Sequence, residues 1–210
     1  MYFHDKKKIT NSNKWLKRHF CDKYVKLAYK KGLRSRAKFK LAELNNSDKI
    51  FQIGMNVIDL GSSPGSWSEY AVSKIGKQGK IVACDILPML PIKNVLFIQG
   101  DIREKVIFDK LLHFVKLKPV NVVMSDMAPN MSGYSCIDIP KSIFLCNLAL
   151  EVSRITLVQG GTLLLKLFQG EGFDTFLKKI YDLFSLVKIR KPYSSLTSSR
   201  EVFIVAAKRK

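Results

Sequence analysis

Val57-Ile58-Asp59-Leu60-Gly61-Ser62-Ser63-Pro64-Gly65-Ser66-Trp67 is the stretch that decides the fold of this chain. A short apolar run carrying one acid reads as a buried strand. The glycine, serines and proline behind it read as a tight turn. Past the turn the pattern changes to a helix over residues 67–75, which Gly76–Gly79 brings to a stop. A strand that feeds a glycine turn and then a helix opens a βαβ unit, and such units bind ligands at the carboxyl ends of their strands.

Downstream, the alternation continues. Lys80–Cys84 is a strand ending at Asp85, and Val95–Ile98 is a third, followed by Gly100-Asp101 and a helix through about residue 116. Val120–Met124 is the fourth strand, ending at Ser125-Asp126, and a long helix from near Pro140 to Val158 is closed by Gly160-Gly161. Thr162–Leu167, Leu186–Arg190 and Glu201–Ala206 complete seven strands, with a helix over Phe173–Phe184. The last two strands are joined by Pro192–Arg200 without a helix, which predicts an antiparallel pair. The expectation is an α/β fold: a mostly parallel seven-stranded sheet, an antiparallel last strand and helices on both faces.

Upstream, Asp22–Lys31 predicts a short helix stopped by Gly32. A second helix, N-capped by Ser35, carries Phe39, Leu41 and Leu44 on its apolar side and ends at Asn45-Asn46-Ser47. Residues 1–22 read as a basic, weakly structured arm. Lys and Arg total 36 against 17 acids, a net +19, and residues 1–40 hold 14 basic residues against Asp5 and Asp22, so +12 sits in the first fifth of the chain. A patch of this density attracts a polyanion. Trp15, Phe20, Tyr24, Tyr29 and Phe39 are interleaved with it, available to stack on bases or to pack. Residues 1–33 are therefore expected to form a basic extension that contacts RNA, ahead of a single domain within 1–210.

Hydrophobic residues at 47% and charged residues at 25% give an ordinary globular balance. No apolar run is long enough for a transmembrane helix, and no apolar region follows Lys6-Lys7-Lys8 as a secretory signal would require. A cytoplasmic monomer with no membrane partner is expected. The cysteines, 21, 84, 136 and 146, are separated by 63, 52 and 10 residues, which fits no zinc or redox spacing. They read as free thiols, small and buried, and no metal is expected.

Two chemistries fit the glycine turn poorly. A dinucleotide loop needs glycines where its backbone meets a pyrophosphate, and Ser63 and Ser66 occupy those positions. Gly61-x-Ser63-x-Gly65 matches a hydrolase nucleophile elbow in letters, but the next residue, Pro64, has no N–H to donate to an oxyanion. A ligand with no phosphate fits better. Asp85 suits the two hydroxyls of an adenosine ribose and Asp101 the adenine amino group, which points to S-adenosylmethionine.

Three charged residues converge on the same edge by topology. Asp126 ends the fourth strand, Lys166 lies near the end of the fifth, and Glu201 begins an antiparallel strand. Lys40, on the helix before the first strand, can reach over them. Methylating a ribose hydroxyl needs its proton taken or steered, and a lysine destabilised by burial or by a neighbouring cation can do so. Asp126-Met127-Ala128-Pro129 has no aromatic to grip a flat base until Tyr134, and no Pro-Cys motif for carbon methylation is present. A sugar hydroxyl fits best.

At residues Ser35–Leu41, 61–67, Asp126–Gly133, Lys166–Asp174 and Ser199-Arg200-Glu201, the sequence resembles the FtsJ/RlmE ribosomal RNA 2′-O-methyltransferases, over roughly residues 13–208. The resemblance implies a Rossmann-like class I methyltransferase fold. It also implies a catalytic tetrad of Lys40, Asp126, Lys166 and Glu201, with Lys166 as principal base or steering group, and cofactor contacts at Gly65, Trp67, Asp85, Asp101 and Asp126. The implied substrate is a uridine ribose in large-subunit (23S) ribosomal RNA within the assembled large subunit. Lys38 stands where an aromatic is common in that family.

Overall fold

A central strand buried on both faces is mainly apolar, and β1 (Asn56–Leu60) is buried at every position, Asn56 and Asp59 included. It pairs in parallel with β2 (Lys80–Asp85) on one side and with β4 (Val120–Ser125) on the other. The molecule, a computed structural model, is described over residues 22–210. Its sheet has the order β3-β2-β1-β4-β5-β7-β6, with β3 at Val95–Gln99, β5 at Leu157–Phe168, β6 at Phe184–Arg190 and β7 at Glu201–Arg209. Strand β7 runs antiparallel to both β5 and β6, as the helix-free connection requires. The chain reverses direction along the sheet between β1 and β4, and there the strand exits splay to leave a crevice.

Each face has its own core. Leu41 and Leu44 of α2 (Ala37–Asp48) and Trp67, Tyr70, Ala71 and Ile75 of α3 (Ser66–Ile75) pack on one side. On the other, β-strand residues meet Ile107 and Leu111 of α4 (Lys105–Leu117) and Cys146, Ala149 and Leu150 of α5 (Ser135–Thr156). Phe176 and Ile180 of α6 (Phe173–Leu183) close that core. Leu41 is fully buried, and Leu41→Ala there would cost about 2–5 kcal/mol. The first helix, α1 (Lys23–Lys30), is N-capped by Asp22, whose carboxylate accepts the Tyr24 N–H at 2.8 Å. Among the described residues no helix is long and apolar enough to cross a membrane.

Several expectations need correction. Helix α2 starts at Ala37 with Arg36 as its N-cap; Ser35 Oγ still accepts the Ala37 N–H, at 3.2 Å. The same helix runs through Asn45-Asn46-Ser47 to Asp48, because Asn45 turns inward, accepting the Phe51 N–H at 3.1 Å and donating to Tyr70 at 3.3 Å. Helix α5 begins at Ser135, ahead of Pro140, where Asp138 accepts the N–H groups of Ser132 and Gly133 at 2.9 and 3.0 Å. It ends at Thr156, so Gly160-Gly161 is no helix stop: both lie within β5, beside a register shift at Val120/Val122. Gly160 there takes φ +79°, which a side chain would resist. Cys84 and Cys146 are buried as expected, whereas Cys136 is exposed in the first turn of α5. Trp15, Phe20, Cys21 and most of the basic arm lie outside the described residues. Tyr24 and Phe39 pack on each other, with ring centres 5.4 Å apart.

Candidate active site

The exits of β1, β2, β3 and β4 are tied to one another. Gly61 and Ser62 donate their N–H groups to the Cys84 carbonyl at 2.9 and 3.3 Å, Asp126 N–H donates to Leu60 at 3.2 Å, and Gly100 N–H donates to Asp85 at 2.8 Å. Gly61 has φ +73°, and a Cβ on it would fall 2.9 Å from the Met127 backbone nitrogen, so the β4 exit can pass this closely only over glycine. Between these exits and α5 lies a cleft of about 720 Å³, the size of a small-molecule site. Asp85, Asp101 and Asp126 line its polar wall, and Phe144, Leu145 and Leu148 of α5 its apolar wall.

The acids are held ready. Asp85 accepts the Ser63 N–H on one oxygen at 2.8 Å and the Leu87 N–H on the other at 2.9 Å. The Ser63 N–H that could otherwise meet a phosphate is therefore already engaged. Asp101 accepts the Arg103 N–H at 2.9 Å and is clasped by its guanidinium, a pairing that holds the carboxyl below its usual range. Each carboxylate oxygen retains acceptor capacity. Three acids beside an apolar wall fit a ligand that offers hydroxyl and amino donors and carries positive charge.

Gly65 and Trp67 lie outside the cleft lining. Gly65 is buried with φ +103° against Ile92 and Met89. Trp67 is buried too: its indole N–H donates to the Ala37 carbonyl at 3.0 Å, and its ring packs 5.9 Å from that of Phe203. Behind the glycine turn sits an acid that sequence reasoning left as an ordinary strand residue. Asp59 is fully buried, its carboxylate taking a single hydrogen bond, from Ser68 Oγ at 2.6 Å, while Oδ1 has no partner among the described residues. Burial, with Asp126 and Asp85 nearby, pushes its pKa up to about 7 against the pull of Ser68.

On the other side of the crevice the four tetrad residues meet as two ion pairs. Lys166 is 9% exposed, and its ammonium donates to the Asp126 carbonyl at 2.5 Å. It lies 2.8 Å from Asp126 Oδ1, an ion pair made without an aligned hydrogen bond. Lys40 reaches over from α2 to donate to Glu201 at 2.6 Å, its ammonium 5.5 Å from the centre of the Phe203 ring. The antiparallel register sets Lys166 opposite Phe203 and Phe168 opposite Glu201, which brings the two pairs to one place. Burial pushes Glu201 up, but the Lys40 charge and hydrogen bond, the Lys166 charge and the Ser195 hydroxyl outweigh it and hold the carboxyl below its ordinary value. Ser195 Oγ donates to Glu201 Oε1 at 2.8 Å.

The loop that carries Ser195 is pinned to α2. Glu43, one turn beyond Lys40, accepts the N–H groups of Tyr193 and Ser194 at 2.6 and 3.1 Å, and the Arg36 guanidinium donates to the Ser194 carbonyl. None of Glu43, Arg36 or Ser195 was singled out from sequence; the spacing of Glu43 from Lys40 on one helix was the available signal. Lys38 pairs with Glu69 at 3.2 Å. Among the described residues no group of three or more His, Cys, Asp or Glu is placed to hold a metal ion.

Comparison with known proteins gives the site a context. The family model for FtsJ-like methyltransferases matches residues 33–209, which places the chain in that family. A Plasmodium falciparum protein assigned as a ribosomal RNA methyltransferase is 29% identical, with TM-score 0.75, over 84% of this chain and 98% of that one. Fibrillarin of Aeropyrum pernix, with natively bound S-adenosyl-L-methionine, shares the fold at 17% identity and TM-score 0.53, over 74% of this chain and 67% of its own. Human methyltransferase-like protein 13, in complex with SAH, does so at 18% identity and TM-score 0.55, covering 80% and 78%. The fold is thus the Rossmann-like methyltransferase fold expected from sequence, and membership of the methyltransferase family makes S-adenosyl-L-methionine the cofactor.

Proposed function

We propose that this chain, which belongs to the FtsJ-like methyltransferase family, methylates RNA on a ribose 2′-hydroxyl, and specifically a uridine of large-subunit (23S) ribosomal RNA within the assembled large subunit. The observation that carries the reading is the pair of ion pairs, Lys166–Asp126 at 2.8 Å and Lys40–Glu201 at 2.6 Å, at the edge of the acid-lined cleft. Bound S-adenosylmethionine supplies an electrophilic methyl group on a sulfonium.

The chain's own residues do the rest. Asp85 receives the ribose hydroxyls of the cofactor and Asp101 its adenine amino group, while Phe144, Leu145 and Leu148 keep water from the apolar side. Lys166 meets the substrate 2′-hydroxyl, steering its proton as an ammonium or, as the neutral amine, taking it, a role worth about 10²–10⁴-fold in rate. Asp126 fixes the direction of the Lys166 ammonium through both its carbonyl and its carboxylate. Glu201, held by Lys40 and Ser195, keeps a negative charge beside Lys166 and balances the two lysines. The absence of a base-gripping aromatic directly after Asp126 favours the sugar over an exocyclic amine.

Residues 1–33 carry the basic extension that we assign to RNA contact, within a single-domain cytoplasmic monomer. The +12 balance of residues 1–40 makes RNA affinity fall with salt through counterion release. Mass mapping of ribosomal RNA from cells lacking the protein tests the reading: one 2′-O-methyluridine of the large-subunit RNA disappears and returns with the intact gene. An unchanged set of 2′-O-methyl nucleotides in the deletion strain would refute it.

A further inference from the structure

Beside the tetrad stands an aromatic that the mechanism does not use. Tyr193 is 93% exposed. Single exposed aromatics are common on protein surfaces and need no purpose, but the backbone beneath this one is held on all sides. Glu43 fixes the Tyr193 and Ser194 N–H groups, Arg36 the Ser194 carbonyl, and the Ser195 N–H closes a turn onto Pro192 at 2.9 Å. Ser195 is bound in turn to Glu201. The loop is therefore rigid and registered to the tetrad, while the phenol ring projects away from it and joins no aromatic pair among the described residues.

The setting is cationic and has a second wall. Lys191 and Arg200 are exposed at either end of the loop, and Lys191 donates to the Ser199 carbonyl, closing it. Arg200, next to Glu201, reaches across to Ser135 Oγ at 3.2 Å. Ser135 follows Tyr134, which is 67% exposed at the start of α5. Two exposed tyrosines thus lie two residues and one residue from Ser195 and Ser135, which are hydrogen-bonded to Glu201 and Arg200, with the cations Lys191 and Arg200 nearby.

We infer that Tyr193 is a base-stacking platform for the RNA substrate, with Tyr134 as the facing wall, and that the substrate is therefore an unpaired, splayed-out segment rather than a duplex. The inference rests on the RNA reading above and deepens it. A ribose hydroxyl can reach a lysine recessed at 9% exposure only if its nucleotide leaves the helical stack, and an extruded base must be received by something. Aromatic rings receive bases of any identity, and unstacked loops are what sequence-specific RNA proteins engage. A ring whose backbone is already fixed does so with little ordering cost.

The test uses the full-length protein, as wild type and as Tyr193→Ala, Tyr193→Leu and Tyr193→Phe. The probe is a single-stranded RNA oligonucleotide containing 2-aminopurine, alone and annealed to its complement. Cofactor affinity by calorimetry reports whether each variant is intact. Wild type and Tyr193→Phe are expected to quench the fluorescence of the single strand. Tyr193→Ala and Tyr193→Leu lose the quench and bind RNA roughly 5- to 150-fold more weakly, the range for one lost base–aromatic stack. Their cofactor affinity stays that of wild type, and the duplex binds all four proteins without quenching. A Tyr193→Leu protein that matches wild type in quench and affinity overturns the inference while leaving the RNA reading intact. A wild type that binds no RNA overturns both.

Discussion

The two halves of the sheet's carboxyl edge are put together differently. On the β1–β2–β3 side, Asp85 and Asp101 are each served by a backbone N–H two residues on, from Leu87 and Arg103, and Asp85 also by Ser63 of the adjoining glycine turn, 22 residues back. On the β4–β5–β7 side, charges pair across the chain, Lys166 with Asp126 and Lys40 with Glu201, the latter 161 residues apart. The first half is a cradle whose geometry is set by turns and exists as soon as the strands form. The second is assembled by the antiparallel docking of β7, and it holds opposed charges in a buried place, which is costly to maintain and useful mainly for chemistry. Cofactor binding and methyl transfer should therefore be separable by mutation.

The largest separation is expected at Lys166. Lys166→Ala should lose at least about 10²-fold in single-turnover rate while cofactor affinity by calorimetry changes little. Lys166→Arg should not restore the rate if the residue takes a proton, because a guanidinium stays charged. Substantial rescue by arginine would assign it a purely electrostatic role, and a parallel fall in cofactor affinity would merge the two halves.

At Asp101 the reverse is expected. Asp101→Asn removes a charged acceptor and should weaken cofactor binding about tenfold, with the rate at saturating cofactor within about twofold of wild type. A loss of rate that saturation cannot recover would break the division.

A third effect, on stability rather than on rate or binding, is expected at Asp59, buried under the cradle. Its folded pKa of about 7 lies above its ordinary 3.8, so its stabilising contribution is complete below about pH 4 and is lost as pH rises toward 7. The ionised form then costs up to about 4 kcal/mol. Asp59→Asn, neutral throughout, should flatten the difference in melting temperature between pH 5 and pH 8. Glu201, Asp101, Asp48 and Asp138 are shifted downward, so their contributions are lost only at lower pH and leave this window clean. Equal pH dependence of wild type and variant would show that Asp59 carries no such burden.

The same contrast explains what was legible in the sequence. Strand, glycine turn, helix and the acids at successive strand ends are local patterns, and they located the cradle. The tetrad positions could be brought to one edge by topology, because an antiparallel last strand must begin where parallel strands finish, but which charge pairs with which required the β5–β7 register. Phe144, Leu145 and Leu148 were invisible as a cleft wall, since an apolar helix face looks the same whether it covers core or ligand. Asp59 left one overlooked sign, an acid inside an otherwise apolar buried strand. Gly160-Gly161 misled because glycines end helices far more often than they sit inside a strand, where Gly161 here allows close passage past Asn121.

The central claim is that the paired charges at the second half transfer a methyl group to a ribose hydroxyl of RNA. Its most direct test is a single-turnover reaction of the full-length protein with purified large ribosomal subunits and methyl-labelled S-adenosylmethionine, followed by digestion of the RNA to nucleosides and mass analysis. The account predicts that the label appears in 2′-O-methyluridine with wild type and is absent with Lys166→Ala. Label in a base-methylated nucleoside, or equal label in 2′-O-methyluridine with Lys166→Ala, would contradict it.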